Sequence, residues 1–62
     1  MKIDREDVSR AQEILVKVQE QRDAAAQHMN KADGEAFMFW SRIHRDLHMA
    51  QGSIESYLEW GV

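Results

Sequence analysis

One polar interruption governs what this chain can fold into. Asn30-Lys31-Ala32-Asp33-Gly34 is the one central place where a helix can stop, because there is no proline and the other glycines, Gly52 and Gly61, lie well toward the C-terminal end. Before the interruption, Val8, Ala11, Leu15, Val18, Arg22, Ala25 and Met29 recur at alternating steps of three and four, the spacing of a helical seam. After it, Ala36, Trp40, Ile43, Leu47, Ala50, Ile54 and Tyr57 repeat the alternation. No period of two is sustained, so strands are not expected. The pattern predicts two helices, over 4–30 and 34–59, with a turn over 30–34. A connection this short makes them antiparallel, and residues 1–62 form a single all-α helical-hairpin domain.

Local signals mark the ends. Asp4 is placed to cap the first helix, with Ile3 and Val8 as a hydrophobic staple and Glu6 and Asp7 in the first turn. Asp33 is placed to cap the second, with Ala32 and Phe37 as its staple and Glu35 in its first turn. Asn30 is expected to close the first helix in a left-handed conformation. Glu6 with Arg10 and Glu13 with Lys17 stand at the four-residue spacing of outer-face ion pairs. Gly52 falls opposite the seam, and the second helix is expected to run through it. The run Ala24-Ala25-Ala26 allows close helix approach.

A hairpin buries only a narrow stripe on each arm, and 62 residues supply little core against about 1.5 kcal/mol of ordering entropy per residue. With no cysteine, disulfides and thiolate zinc sites are excluded as staples. The apolar content nevertheless exceeds the seams. Phe37-Met38-Phe39-Trp40 is apolar right around the helix, since successive residues are about 100° apart, and Ile14, Val16, Met49, Leu58 and Trp60 add breadth. Two hairpins paired by a two-fold axis into an antiparallel four-helix bundle homodimer would share these surfaces as one core. In length, in its single short acidic turn and in the heptad layers of both arms, the chain resembles the Rop-type helical hairpin dimer, in architecture alone. Fold likeness does not by itself carry function.

Chemistry has few footholds. The net charge of −3 with both signs mixed provides no basic tail, and no apolar run approaches the ~20 residues that span a bilayer. The charged opening Met1-Lys2-Ile3-Asp4 predicts a cytoplasmic location without membrane attachment. His44 and His48 share a helix face and are weak candidate metal ligands, with Glu20 or Gln21 expected across the hairpin. Arg45, however, stands where a zinc-protease glutamate would follow His44, and Ser41 and Arg45 stand where di-iron glutamates would precede the histidines. His28 reads as a residue near the C-terminal end of the first helix. No catalytic group and no cofactor is predicted. Arg22 occupies a seam position: either it sets register by pairing with Asp46, Glu20 or a partner carboxylate, or its stem packs while its head reaches water.

The sequence thus predicts a non-enzymatic protein-interaction module, a small regulator, adaptor or inhibitor of the kind encoded by bacteria and their viruses. It is expected to form a homodimer and to bind a second, heterologous protein. Phe37, Phe39, Trp40, Tyr57 and Trp60 are the candidate interface, and Phe39 and Trp60 lie beside the seam. The Rop-like resemblance implies an alternative, an RNA-binding regulator using Lys17, Arg42 and Arg45 together with Arg22. Asp23, Asp46, Glu13 and Glu20 interrupt that strip. A histidine-based metal-binding protein is the third reading.

Overall fold

A computed structural model describes residues 3–61, and the charged opening at Met1 and Lys2 lies outside them. Two helices follow in order, α1 (Arg5–Lys31) and α2 (Gly34–Gly61). They pack side by side into a rod whose principal extents are 46 × 15 × 11 Å. Val8 meets Leu58 at the open end, whereas His28 meets Trp40 near the turn, so the arms run antiparallel.

The helix ends differ from expectation in instructive ways. Asp4 has the extended backbone of an N-cap, and its carbonyl accepts the Val8 N–H at 3.1 Å. Its carboxylate makes no capping bond. Charge near the dipole is therefore what Glu6 and Asp7 supply to this end of α1. Asn30 does not adopt the left-handed conformation: α1 continues through it to Lys31. Ala32 then turns extended, at φ −102° and ψ 156°, with its N–H donated to the Met29 carbonyl at 3.2 Å. The left-handed residue is Gly34, at φ 59°. Reversal of the chain is thus assigned to a residue without a Cβ, which avoids the roughly 1–2 kcal/mol that this conformation costs other residues. Asp33 precedes it, its carbonyl accepting the Phe37 N–H at 3.4 Å to open α2.

Between the ends, the predicted seam is largely the observed one. Val8, Ala11, Leu15, Val18, Arg22 and Met29 are half-buried, as are Trp40, Ile43, Leu47, Ala50 and Ile54. Ala25 alone among the described residues is fully buried, at 2% exposure. It lies at the centre of the alanine run, where small side chains let the two backbones approach. Ala36 and Tyr57, placed in the seam by strict heptad spacing, are both exposed, and Leu58 lies inward in place of Tyr57. A straight helix drifts by about 20° per heptad from a 3.5-residue repeat. Over the three heptads from Ala36 to Tyr57 that drift reaches about 60°, more than half of the about 100° between neighbouring residues, so residue 58 points closer to the seam than residue 57.

The second helix runs unbroken through Gly52, as its position opposite the seam predicts. On the outer face of α1, Glu13 reaches back to Arg10 at 4.0 Å instead of forward to Lys17. Both side chains are largely exposed, so the pair adds little stability.

The rod has more surface than a chain of its mass needs. Its accessible area is 5289 Å², whereas folded monomers of 7.3 kDa expose about 4,200 Å².

Candidate functional site

Large apolar side chains contribute to this surface on particular faces. Ile14, Val16, Met38, Phe39, Met49, Tyr57 and Trp60 are all more than half exposed, and Ile3 and Phe37 are 40% and 45% exposed. One flank of the rod gathers several of them. Phe39 and Tyr57 are eighteen residues apart in sequence, which is five complete turns of α-helix, so they project in the same direction about 27 Å apart. Ile43, Asp46, Ala50 and Ser53 follow between them at three- and four-residue steps.

The two ends of this flank have opposite shapes. At the open end, Ile3, just before α1, and Val8, Ala11 and Ile14 of α1 meet Ile54 and Tyr57 of α2 around an apolar hollow of about 180 Å³. Ala11, the smallest side chain of the lining, lies in sequence between Asp7 and Ile14. Near the turn the flank instead carries rings. Trp40 stacks on His28, with centroids 4.4 Å apart and planes 15° from parallel, and Phe39 packs edge-on against Trp40 at 5.3 Å. The row therefore ties α2 to α1, and its outer member, Phe39, is 58% exposed. Met38, Phe39 and Ile43 also border a shallow outer depression rimmed by Glu35, Arg42 and Asp46.

The predicted interface residues consequently divide. Phe39 and Tyr57 share the flank, while Trp40 is half-buried between the helices with His28 against its face. Phe37 stands off that flank, about 160° around α2 from Phe39. Trp60, at 85% exposure, is a free indole near the end of α2. Ile14 is among the residues whose apolar breadth the sequence assigns to a shared surface, whereas Ile3 and Ala11 are not among the candidate interface residues. Their signal lies in the spacing of Asp7, Ala11 and Ile14 along one face of α1, beside the seam, with Ile3 four residues before Asp7.

Arg22 is resolved into a bridge. Its guanidinium donates across the hairpin to Gln51 Oε1 and along α1 to Asp23 Oδ1 at 3.2 Å. Gln51 in turn donates through Nε2 to Glu55 Oε1 at 2.9 Å. The expected partners Asp46 and Glu20 are not the ones used. Asp46 instead accepts from Arg45 at 3.6 Å on the surface of α2. The side chain of Arg22 is 27% exposed, so its stem packs in the seam while its head joins a polar layer linking the helices.

The remaining candidates lie on α2 and the outer faces. His44 is half-buried and His48 exposed. No group of three or more histidine, cysteine, aspartate or glutamate side chains suited to a metal occurs among the described residues. Of the basic residues, Arg42 lies beside Glu35 and Asp46, and Arg45 is paired with Asp46. Lys17 is exposed on α1. No described helix is long and apolar enough to cross a membrane. Compared with protein-family models, curated proteins and solved structures, the chain matches none. The fold therefore defines the class, an all-helical hairpin, and the surface carries the functional reading.

Proposed function

We propose that this chain is a non-enzymatic protein-interaction module, a cytoplasmic regulator, adaptor or inhibitor that acts by occupying a surface of another protein. The observation that carries the reading is the imbalance between interior and exterior. A single alanine is buried among the described residues, while nine large apolar side chains are at least 40% exposed. Apolar patches of this extent on small proteins mark contact surfaces, and tryptophan and tyrosine are prominent among the residues that anchor them. Trp60 supplies such an anchor at the end of the rod. It makes no large contribution to the hairpin core, because 85% of its surface remains open.

The mechanism is mass action: a partner held by the module is withdrawn from whatever else binds the same surface. The test is affinity capture from lysate of the source cells, with the unaltered chain and Trp60→Ala compared at equal helicity by circular dichroism. Trp60→Ala is expected to lose at least one protein retained by the unaltered chain. Identical capture by both, or loss of helical structure in Trp60→Ala, would refute the role assigned to this side chain.

A further inference from the structure

We infer that the apolar hollow at the open end is the seat for a basic segment of a partner protein: one large apolar side chain of that segment enters the hollow, and its flanking lysines or arginines meet the carboxylates around it. The inference rests on the reading of the chain as a protein-interaction module and names the chemistry of its partner. Three features of the open end carry it.

Size sets the anchor. The hollow of about 180 Å³ is lined almost entirely by apolar atoms, and an apolar cavity of about 150 Å³ is known to accept a single benzene ring. It therefore takes one side chain of the bulk of phenylalanine, leucine or methionine. Asp7 is the one charged residue of the lining, and it is exposed, so a carboxylate stands at the edge of an apolar seat.

Charge selects what flanks the anchor. The chain's net charge of −3 belongs wholly to the open end. Residues 1–14 and 54–62 carry six acids against three bases, whereas residues 15–24 with 44–53 carry three of each and residues 25–43 two of each. Glu6 and Asp7 lie in the first turn of α1, and the last turn of α2, where Glu59 stands, has no basic residue to offset the partial negative charge of its carbonyl end. Arg10 is already held by Glu13. None of the three levels of the rod is net positive, so a second copy of the chain offers this end nothing complementary. A different, basic protein does.

The third feature gives the extent. Tyr57 borders the hollow and is 66% exposed, and Trp60 follows it by three residues on the same face of α2, at 85%. The faces of tyrosine and tryptophan attract lysine and arginine cations. From Asp7 to Ile14 on α1, and from Ile54 to Trp60 on α2, the site runs about 10 Å along the rod, the length of about three extended residues. That exceeds a single ring, so the occupant is a peptide segment and not a small aromatic molecule.

The probe is a phage-displayed library of random heptapeptides selected on the immobilised full chain, with the enriched peptides then synthesised and titrated by fluorescence anisotropy. Enriched peptides are expected to share one large apolar residue close to at least two lysines or arginines. Ala11→Leu, which places a larger side chain in the lining, is expected to weaken their binding at least tenfold, as loss of a buried anchor does. Glu59→Lys is expected to weaken it about threefold, the usual worth of an exposed charge pair, and added salt to weaken it in the unaltered chain. A cation at the carbonyl end of α2 favours the helix, so Glu59→Lys stays folded, and circular dichroism checks both variants.

No enrichment, or enrichment of peptides without basic residues, would overturn the inference. So would affinity indifferent to Glu59→Lys and to salt, or undiminished in a helical Ala11→Leu. Should one of these results accompany lysate capture that depends on Trp60, the interaction module stands and only its basic partner is removed. Basic peptides seated here, with no protein captured, would leave the peptide site and remove the module.

Discussion

Gly52→Ala offers the cleanest test of how α2 is built. Glycine inside a helix is about 0.8–1.0 kcal/mol less favourable than alanine, because it has more backbone freedom to lose. That difference is realised in full only where the new methyl group meets no obstacle. A Cβ at residue 52 has nothing within 4 Å, and the position lies in an unbroken helix on the face away from α1. The substitution should therefore stabilise the protein by close to the whole propensity difference. For a domain of this size 1 kcal/mol corresponds to about 4–8 °C in melting temperature. The assay is thermal unfolding followed by far-ultraviolet circular dichroism, at one fixed protein concentration because association itself shifts the midpoint. Gly34→Ala is the matched control, since the same methyl group is added at φ 59° with equally open space around it. There the left-handed backbone should cost about 1–2 kcal/mol and lower the midpoint. Opposite shifts are expected, additive in the double variant because the sites are far apart. An unchanged or lowered midpoint in Gly52→Ala would show that α2 is broken at that residue and would refute the continuous-helix reasoning.

Two seam substitutions probe how the arms are held. Ala25→Leu inserts a large side chain at the one fully buried position among the described residues, and overpacking should cost about 1–3 kcal/mol in urea unfolding; a neutral result would mean the helices are not in close contact there. Arg22→Ala removes both the stem and the bond to Gln51 and should cost about 1–2 kcal/mol, whereas Arg22→Met keeps an equivalent stem and should recover at least half of that. Equal losses in the two variants would deny the stem its packing role.

The elements were readable because each was announced by more than one signal. The absence of proline, the polar interruption at residues 30–34 and two runs of alternating three- and four-residue steps all required the same hairpin. Where readings failed, a local rule had been applied without its three-dimensional context. Asn30 and Gly34 can both enter the left-handed region, and the choice depends on where the turn needs reversal; Ala32, by turning extended, leaves that task to Gly34. Tyr57 was placed inward by counting heptads, but a helix that is not strongly supercoiled accumulates its drift and brings Leu58 inward. Glu13 had acceptable basic neighbours on both sides, and its choice of Arg10 is a matter of rotamers that spacing does not decide.

The flank was harder to see for a different reason. A stripe announces itself in sequence when its positions are uniformly apolar, but this one reads Phe39, Ile43, Asp46, Ala50, Ser53, Tyr57, with bulk at its ends and small or charged residues between them. Selecting aromatic residues by type gathers Phe37, Trp40 and Trp60 with Phe39 and Tyr57, although these point in different directions and Trp40 is engaged by His28. The hollow is less visible still, because it arises from the level at which Ala11 of α1 meets Ile54 of α2, a relation across the hairpin that neither helix encodes alone.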